Sequence, residues 1–176
     1  MAGKGKYYES QFEEATIELL RESHWQYTFG DDIHRKYTDP LIEEDLRTFL
    51  AAQYKDKKLT ASEVDGIVAN LRNTGGQNDY YALQNTFLLY RDGYDFTYSD
   101  GRDNPFRLQY IDFEHPDHNI FRCVNQFVME QGRENRRPDI LLFVNGIPVC
   151  IVELKNPTKQ NATIRDAYTQ ICTRYM

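Results

Sequence analysis

The sequence predicts an α/β fold, a mixed β-sheet flanked by helices, with a helical segment inserted at about residues 40–90. Three observations predict it. Apolar periodicity runs helix, strand, helices, strands, helix along the chain. A dense helical stretch between about 40 and 90 separates the strand-forming segments. Near the C-terminal end, Ile140–Val144 and Ile147–Val152 are two apolar strands around the turn pair Asn145-Gly146, which reads as a hairpin.

Residues 1–6 are rich in Gly and Lys and are expected to fray. Tyr7 to Ser23 carries Phe12, Ala15, Ile17, Leu19 and Leu20 at helical spacing. Trp25 to Phe29 alternates as a short strand. Thr38-Asp39-Pro40 opens a helix through about Tyr54, with Thr or Asp as the cap and Pro40 in the first turn. Thr60-Ala61-Ser62-Glu63 has capping-box spacing ahead of a helix to about Leu71. Gly75-Gly76 breaks the chain, and Asp79 to about Leu89 forms the next helix. Tyr94–Tyr98 and Phe106–Tyr110 alternate as strands, and Phe121–Met129 is a further strand. Asn161 to Met176 reads as a helix with Ile164, Ala167, Tyr168 and Ile171 on one face. It runs to Met176 without a stop signal, so the chain is expected to be a fragment of a longer protein.

The length of 176 residues argues for one domain with a sizeable core. No apolar run approaches the roughly 20 residues of a membrane span, and the basic start lacks the apolar stretch of a secretory signal. Cys123, Cys150 and Cys172 are dispersed, without C-x-x-C spacing, so reduced structural thiols and a cytosolic protein are expected. No G-x-x-x-x-G-K-[ST] is present, so no nucleotide motor is encoded in these residues. The net charge is −6 but uneven: residues 131–176 hold 7 Lys+Arg against 4 Asp+Glu, and the remainder is strongly acidic. Two of those four acids are Asp139 and Glu153.

These two acids bracket the hairpin. Arg137-Pro138-Asp139 precedes its first strand, and Glu153-Leu154-Lys155 ends its second. Residues two apart on a strand share a face, so Glu153 and Lys155 point together and Leu154 points into the core. Two convergent carboxylates form a minimal cradle for Mg²⁺, a hard cation with oxygen ligands at about 2.0–2.1 Å, and the Leu154 carbonyl is a candidate further ligand. Such a cation neutralises phosphate oxygens and acidifies a bound water, while Lys155 orients that water or holds developing charge. A salt bridge on a strand is the alternative, but an apolar run that ends in three ionisable groups favours a site. Register decides between the two. A plain two-residue turn pairs Asp139 with Val152 and sends Glu153 to the other face, whereas a three-residue loop or one bulge brings the acids together. Gly146 suits a bulged turn, and Pro148 resists regular pairing.

The layout resembles that of PD-(D/E)xK nucleases. More narrowly, Arg137-Pro138-Asp139-Ile140-Leu141-Leu142-Phe143-Val144-Asn145-Gly146-Ile147-Pro148 followed by Ile151-Val152-Glu153-Leu154-Lys155-Asn156-Pro157 resembles the N-terminal nuclease region of the R (HsdR) subunit of type I restriction enzymes. Asn119-Ile120-Phe121, Val124-Asn125-Gln126-Phe127, Asp166-Ala167-Tyr168-Thr169-Gln170-Ile171 and Phe12-Glu13-Glu14 extend the likeness over nearly the whole chain. The resemblance implies a restriction-endonuclease-like sheet over 1–176 and metal-dependent cleavage of double-stranded DNA. Mg²⁺ is the implied cofactor, with Mn²⁺ as a substitute, and ATP serves a motor outside this chain. It also implies partnership with methylation (M) and specificity (S) subunits, without a membrane. It makes Asp139 and Glu153 the metal-binding acids and Lys155 the catalytic lysine. An acid on the first helix often joins such a site; Glu13 and Glu14 both fit, with Glu13 preferred. Many relatives carry Q-x-x-x-Y on the helix after the motif. Here Gln170 and Tyr175 are five apart, about 500° of helical rotation, so they do not align. Gln170 is expected at the metal site or on DNA, and Tyr175 is left between site and core.

Arg133, Arg136 and Arg137 suit phosphates, with a solvated loop an equal alternative. For Asp112, Glu114, His115, Asp117 and His118 a solvated turn is expected over a metal site. His24 and His34 are expected to be structural. The aromatics at 94, 96, 98, 106 and 110 are expected in core or cross-strand pairs rather than under bases. A freestanding repair nuclease and a non-catalytic assembly module are the competing functions. The intact acids and lysine disfavour the module.

Overall fold

The computed structural model describes residues 9–74, 79–102, 104–131, 134–155 and 163–174. Its elements are α1 (Glu9–Glu22), β1 (Gln26–Phe29), α2 (Glu43–Gln53), α3 (Ala61–Arg72), α4 (Asp79–Asp92), β2 (Tyr94–Phe96), β3 (Phe106–Leu108), β4 (Phe121–Asn125), β5 (Met129–Gln131), β6 (Glu134–Arg136), β7 (Ile140–Val144), β8 (Ile147–Val152) and α5 (Ile164–Arg174). The N-terminal segment 1–6, Gly75-Gly76, Arg133 and Tyr175 lie outside the described residues. None of the described helices is long and apolar enough to cross a membrane. The chain groups into two compact units: Met1–Pro40 with Phe121–Met176, and Leu41–Ile120.

The first unit is built on a four-stranded sheet of order β1-β4-β7-β8. β1 runs parallel to β4, and β4, β7 and β8 form an antiparallel meander, so the sheet is mixed. Ile17 of α1 packs with Cys123 and Ile140, joined by Leu20, Trp25, Leu142, Val152 and Leu154. Leu141 and Phe143, which point to the other face, are also buried. Burial on both faces explains why the β7 segment reads as a continuous apolar run rather than an alternation. The chain leaves α1 through His24, which takes a left-handed φ of 67°. Its N–H donates to the Arg21 carbonyl at 3.0 Å, and Trp25 N–H reaches Leu20 O at 3.0 Å, closing the helix end.

The β7–β8 register carries one irregularity. Asn145 and Gly146 have φ of 51° and 75°, so the turn is a two-residue one that requires two left-handed residues. Val144 pairs with Ile147 and Phe143 with Pro148, but Leu142 pairs with Cys150, Leu141 with Ile151 and Ile140 with Val152. The expected bulged turn is therefore corrected: the loop is plain, and Val149 is the extra residue inside β8. Pro148 has no N–H to give the ladder, which accounts for the break at this point.

Three other expectations need correction. The predicted strand Phe121–Met129 is two strands in different sheets, because β5 pairs with β6 instead. Gln126 turns left-handed at φ 56° and ends β4. Phe127 then buries against Phe143 with ring centroids 5.0 Å apart. The helix expected from Pro40 starts at Glu43. Arg35 holds the preceding segment as a loop, donating to Asp39 O at 2.8 Å and to Val128 O, with its guanidinium 3.5 Å from the Phe127 ring centroid. The apolar stripe of α5 is also largely open, with Ile164 91% and Tyr168 67% exposed.

The second unit is longer than the expected insertion, because it includes the β2–β3 hairpin as well as α2, α3 and α4. Leu46, Phe49, Leu50, Ile67, Val68 and Leu108 are buried in it. Phe96 and Phe106 pair across the hairpin at 5.3 Å, and buried Tyr110 donates to Ile67 O at 2.8 Å, so these aromatics are core. The capping box of α3 forms: Glu63 N–H donates to Thr60 Oγ1 at 3.2 Å, and Thr60 N–H to Glu63 Oε2 at 2.8 Å.

Gly30, just after β1, lies against the backbone that ends β4. A Cβ there would meet Gln126 O at 2.5 Å and Asn125 O at 2.9 Å. Backbone cannot yield as a side-chain tip can. Gly30→Ala is therefore expected to destabilise the protein by about 2 kcal/mol or more, read as a lowered midpoint in urea unfolding.

Candidate functional site

The inserted Val149 sets the parity of everything after it. Continuing the β7–β8 register past Ile140–Val152 places Asp139 opposite Glu153, and opposed residues of an antiparallel pair share a face. Lys155 falls on that same face, while Leu154 packs into the Ile17–Cys123–Ile140 cluster. The Leu154 N–H donates to Asp139 Oδ2 at 2.7 Å and fixes that carboxylate against the end of β8.

Gln170 of α5 joins the other two groups. Its amide nitrogen donates to Glu153 Oε2 at 2.6 Å, and its amide oxygen accepts from Lys155 Nζ at 2.6 Å. The second Glu153 oxygen, Oε1, is shut off from solvent. One neutral side chain thus bonds an acid and a base at once. α5 is started by a reciprocal cap: Asp166 N–H donates to Thr163 Oγ1 at 3.2 Å, and Thr163 N–H donates to Asp166 Oδ2 at 2.8 Å. Gln170 lies one turn beyond Asp166.

Glu13 is half-buried on α1 and Glu14 is exposed. Glu13 Oε1 accepts from Asn125 Nδ2 at 2.8 Å and Gln126 Nε2 at 3.3 Å. Gln126 N–H in turn donates to the Asp139 carbonyl at 3.3 Å, so Glu13 is connected to the start of β7. Asn125 Oδ1 accepts from Tyr27 at 3.1 Å. Desolvation first, and the Glu13 charge second, push the Tyr27 phenol above its ordinary range, so it stays a neutral donor. A cleft beside α1 is lined by Ser10, Glu13, Glu14, Tyr27 and Asn125. Asn125 and Gln126 received no role from the sequence beyond their place in the resemblance. The available signal was a polar pair closing the Phe121-Arg122-Cys123-Val124 strand segment, much as Glu153 follows β8.

Arg136 is half-buried in β6, and Arg137 is exposed just before Pro138. The groups offered at the strand ends are two carboxylates and a backbone carbonyl as oxygen ligands, with an ammonium beside them. Hard oxygen ligands with no histidine or thiolate suit magnesium-like ions over zinc-like ones.

A family model described as Type I restriction enzyme R protein N terminus (HSDR_N) matches residues 6–176. The chain belongs to this family. The Type I restriction enzyme HindI endonuclease subunit of Haemophilus influenzae is 29% identical over 175 residues, covering 94% of this chain. The Putative type I restriction enzyme MjaIXP endonuclease subunit of Methanocaldococcus jannaschii is 29% identical over 179 residues, covering 92% of this chain. In each case the match spans only 16% of the relative. A third relative from the same archaeon, the putative MjaVIIIP endonuclease subunit, is 35% identical over 65 residues, 37% of this chain and 6% of its own length.

The cap that starts α5 makes the position of Gln170 sensitive to acid. Hydrogen bonds from the Thr163 hydroxyl, then from its N–H, hold the Asp166 carboxyl below its ordinary range. A depressed folded value means the stabilisation is fully present above the unfolded value of about 3.9. It is lost as pH falls through the lower folded value. Helicity by circular dichroism should fall in this window for the wild type. Asp166→Asn should show a smaller pH-dependent change.

Proposed function

We propose that this chain is the DNA-cleaving part of a type I restriction R subunit, a metal-dependent endonuclease of double-stranded DNA acting in the cytoplasm. The observation that carries this reading is the bulge-set convergence of Asp139, Glu153 and Lys155 at one end of β7–β8, in a chain of this family. Asp139, Glu153 and the Leu154 carbonyl would hold Mg²⁺, or Mn²⁺ in its place. When bound, the cation neutralises phosphate oxygens and makes a water acidic near neutral pH.

The protein's own groups supply the rest. Lys155, held by the Gln170 amide oxygen, stays on the acid face. From there it orients the attacking water or meets the charge that grows on the phosphate. Gln170 also fixes one Glu153 oxygen. Glu13 supports the site through Asn125 and Gln126. Arg136 and Arg137 contact DNA phosphates, with Gln170 as a further DNA contact. The basic balance of residues 131–176 favours a polyanion at this end of the chain. A small basic surface makes few phosphate contacts, so DNA binding by the 176-residue chain is weak and salt-sensitive. ATP hydrolysis and translocation belong to a motor outside these residues, and the M and S subunits complete the assembly.

Two measurements test this reading. Calorimetric titration with Mn²⁺ should show at least about tenfold weaker binding for Asp139→Ala than for the wild type; equal binding refutes the metal assignment. Lys155→Ala in a reconstituted complex should slow plasmid nicking by about 100-fold or more while ATP turnover continues. Loss of both activities, or of neither, refutes the role given to Lys155.

A further inference from the structure

A second cluster of ligating side chains lies in the other unit, in the loop between β3 and β4. Asp112, His115 and His118 follow a D-x-x-H-x-x-H spacing, and a short 3₁₀ turn at Pro116–His118 folds the last histidine back. Asp112 is only 5% exposed. Its Oδ1 accepts from Glu114 N–H at 3.0 Å and His115 N–H at 2.8 Å. Its Oδ2 accepts from Gln53 Nε2 of α2 at 2.9 Å. The carboxylate is therefore buried and held in place by the second unit's own groups before any ligand arrives.

Both imidazoles converge on that same Oδ2. His118 Nδ1 is 3.0 Å from it and His115 Nδ1 is 3.7 Å away. The three ligand atoms lie within 4.8 Å of one another. A tetrahedral ion with bonds near 2.0–2.1 Å separates its ligands by about 3.3 Å, which falls between the two measured spacings. The rings stack with centroids 4.9 Å apart and planes 17° apart, so they must tilt to aim both lone pairs at one point. Their side chains are 62% and 51% exposed, which leaves them room to do so.

We propose that Asp112 Oδ2, His115 Nδ1 and His118 Nδ1 form a site for a borderline divalent transition ion such as Zn²⁺ or Co²⁺. Two nitrogen ligands and one carboxylate select this class over Mg²⁺, the reverse of the oxygen set at Asp139 and Glu153. Each histidine then carries its ring proton on Nε2, facing solvent. Gln53 remains bonded to the ligating carboxylate and orients it. Bound ion would clip the His115–His118 turn to the buried Asp112 carboxylate, a structural role that does not depend on the nuclease reading.

The test uses Co²⁺ alone as the probe, titrated into the 176-residue chain and followed by visible absorption. The Asp139→Ala, Glu153→Ala background excludes binding at the other acids. One equivalent should bring in the intense visible band of a four-coordinate ion, which Zn²⁺ chases and excess Mg²⁺ does not. His115→Ala and His118→Ala, both on exposed side chains, should each weaken binding by at least about tenfold with the circular dichroism spectrum unchanged. No band at millimolar Co²⁺, or a band that both histidine variants keep, overturns the proposal.

Discussion

Side chains on a strand alternate between faces, so one inserted residue decides which way every later side chain points. Val149 is that residue here. Without it, Glu153 and Lys155 would lie on the face that packs against α1, and Leu154 would leave the core. Two ionisable groups would then displace apolar partners of Ile17, Cys123 and Ile140. The bulge thus serves packing and the site together: the register that buries Val152 and Leu154 is the same one that gathers Asp139, Glu153 and Lys155. Pro148 makes this economical, since it already denies the ladder one donor where the bulge sits.

The ends of the strands are tied together by polar contacts rather than by the apolar core alone. Glu13 gathers the Asn125 and Gln126 side chains at the end of β4, and the Gln126 backbone holds the carbonyl of Asp139. Gly30 lets the chain after β1 approach that same backbone. Asp139 is consequently positioned from two sides: its main chain by β4, and its carboxylate by the Leu154 N–H. On the other flank Gln170 couples Glu153 to Lys155. A neutral amide in that place can donate to one and accept from the other, which neither a carboxylate nor an ammonium could do.

Much of this was legible in the sequence because its signals are local. The Thr60–Glu63 box, the Asn145-Gly146 turn and the apolar hairpin each declare themselves within a few residues. The requirement for one register shift was also legible, from parity alone. Its place was not. Gly146 suggested a bulged turn, whereas the two left-handed residues make a plain turn and Pro148 moves the break into β8. The strand through Phe121–Met129 was over-extended because Gln126, at a left-handed φ, has no Gly or Asn signature to announce it. Loops held by distant groups were equally hidden. Arg35 keeps Thr38–Pro40 out of α2 by bonding residues on both sides of a long insertion. The contacts of Gln170 and of Asn125 likewise span sequence distances that no periodicity records.

The placement of β1 beside β4 carries a consequence for how the polypeptide reaches its native state. Gln26 pairs in parallel with Arg122, and the whole Leu41–Ile120 unit is threaded between them. The entropy of closing so long a loop grows only as the logarithm of its length, so the pairing is thermodynamically tolerable. Kinetically it is non-local, and such contacts slow the search. During synthesis α1 and β1 emerge before β4, and they wait with apolar surface uncovered until the β4–β7–β8 meander has been made. β1 is therefore made well before the strand it pairs with, whereas β4, β7 and β8 pair in the order in which they are made.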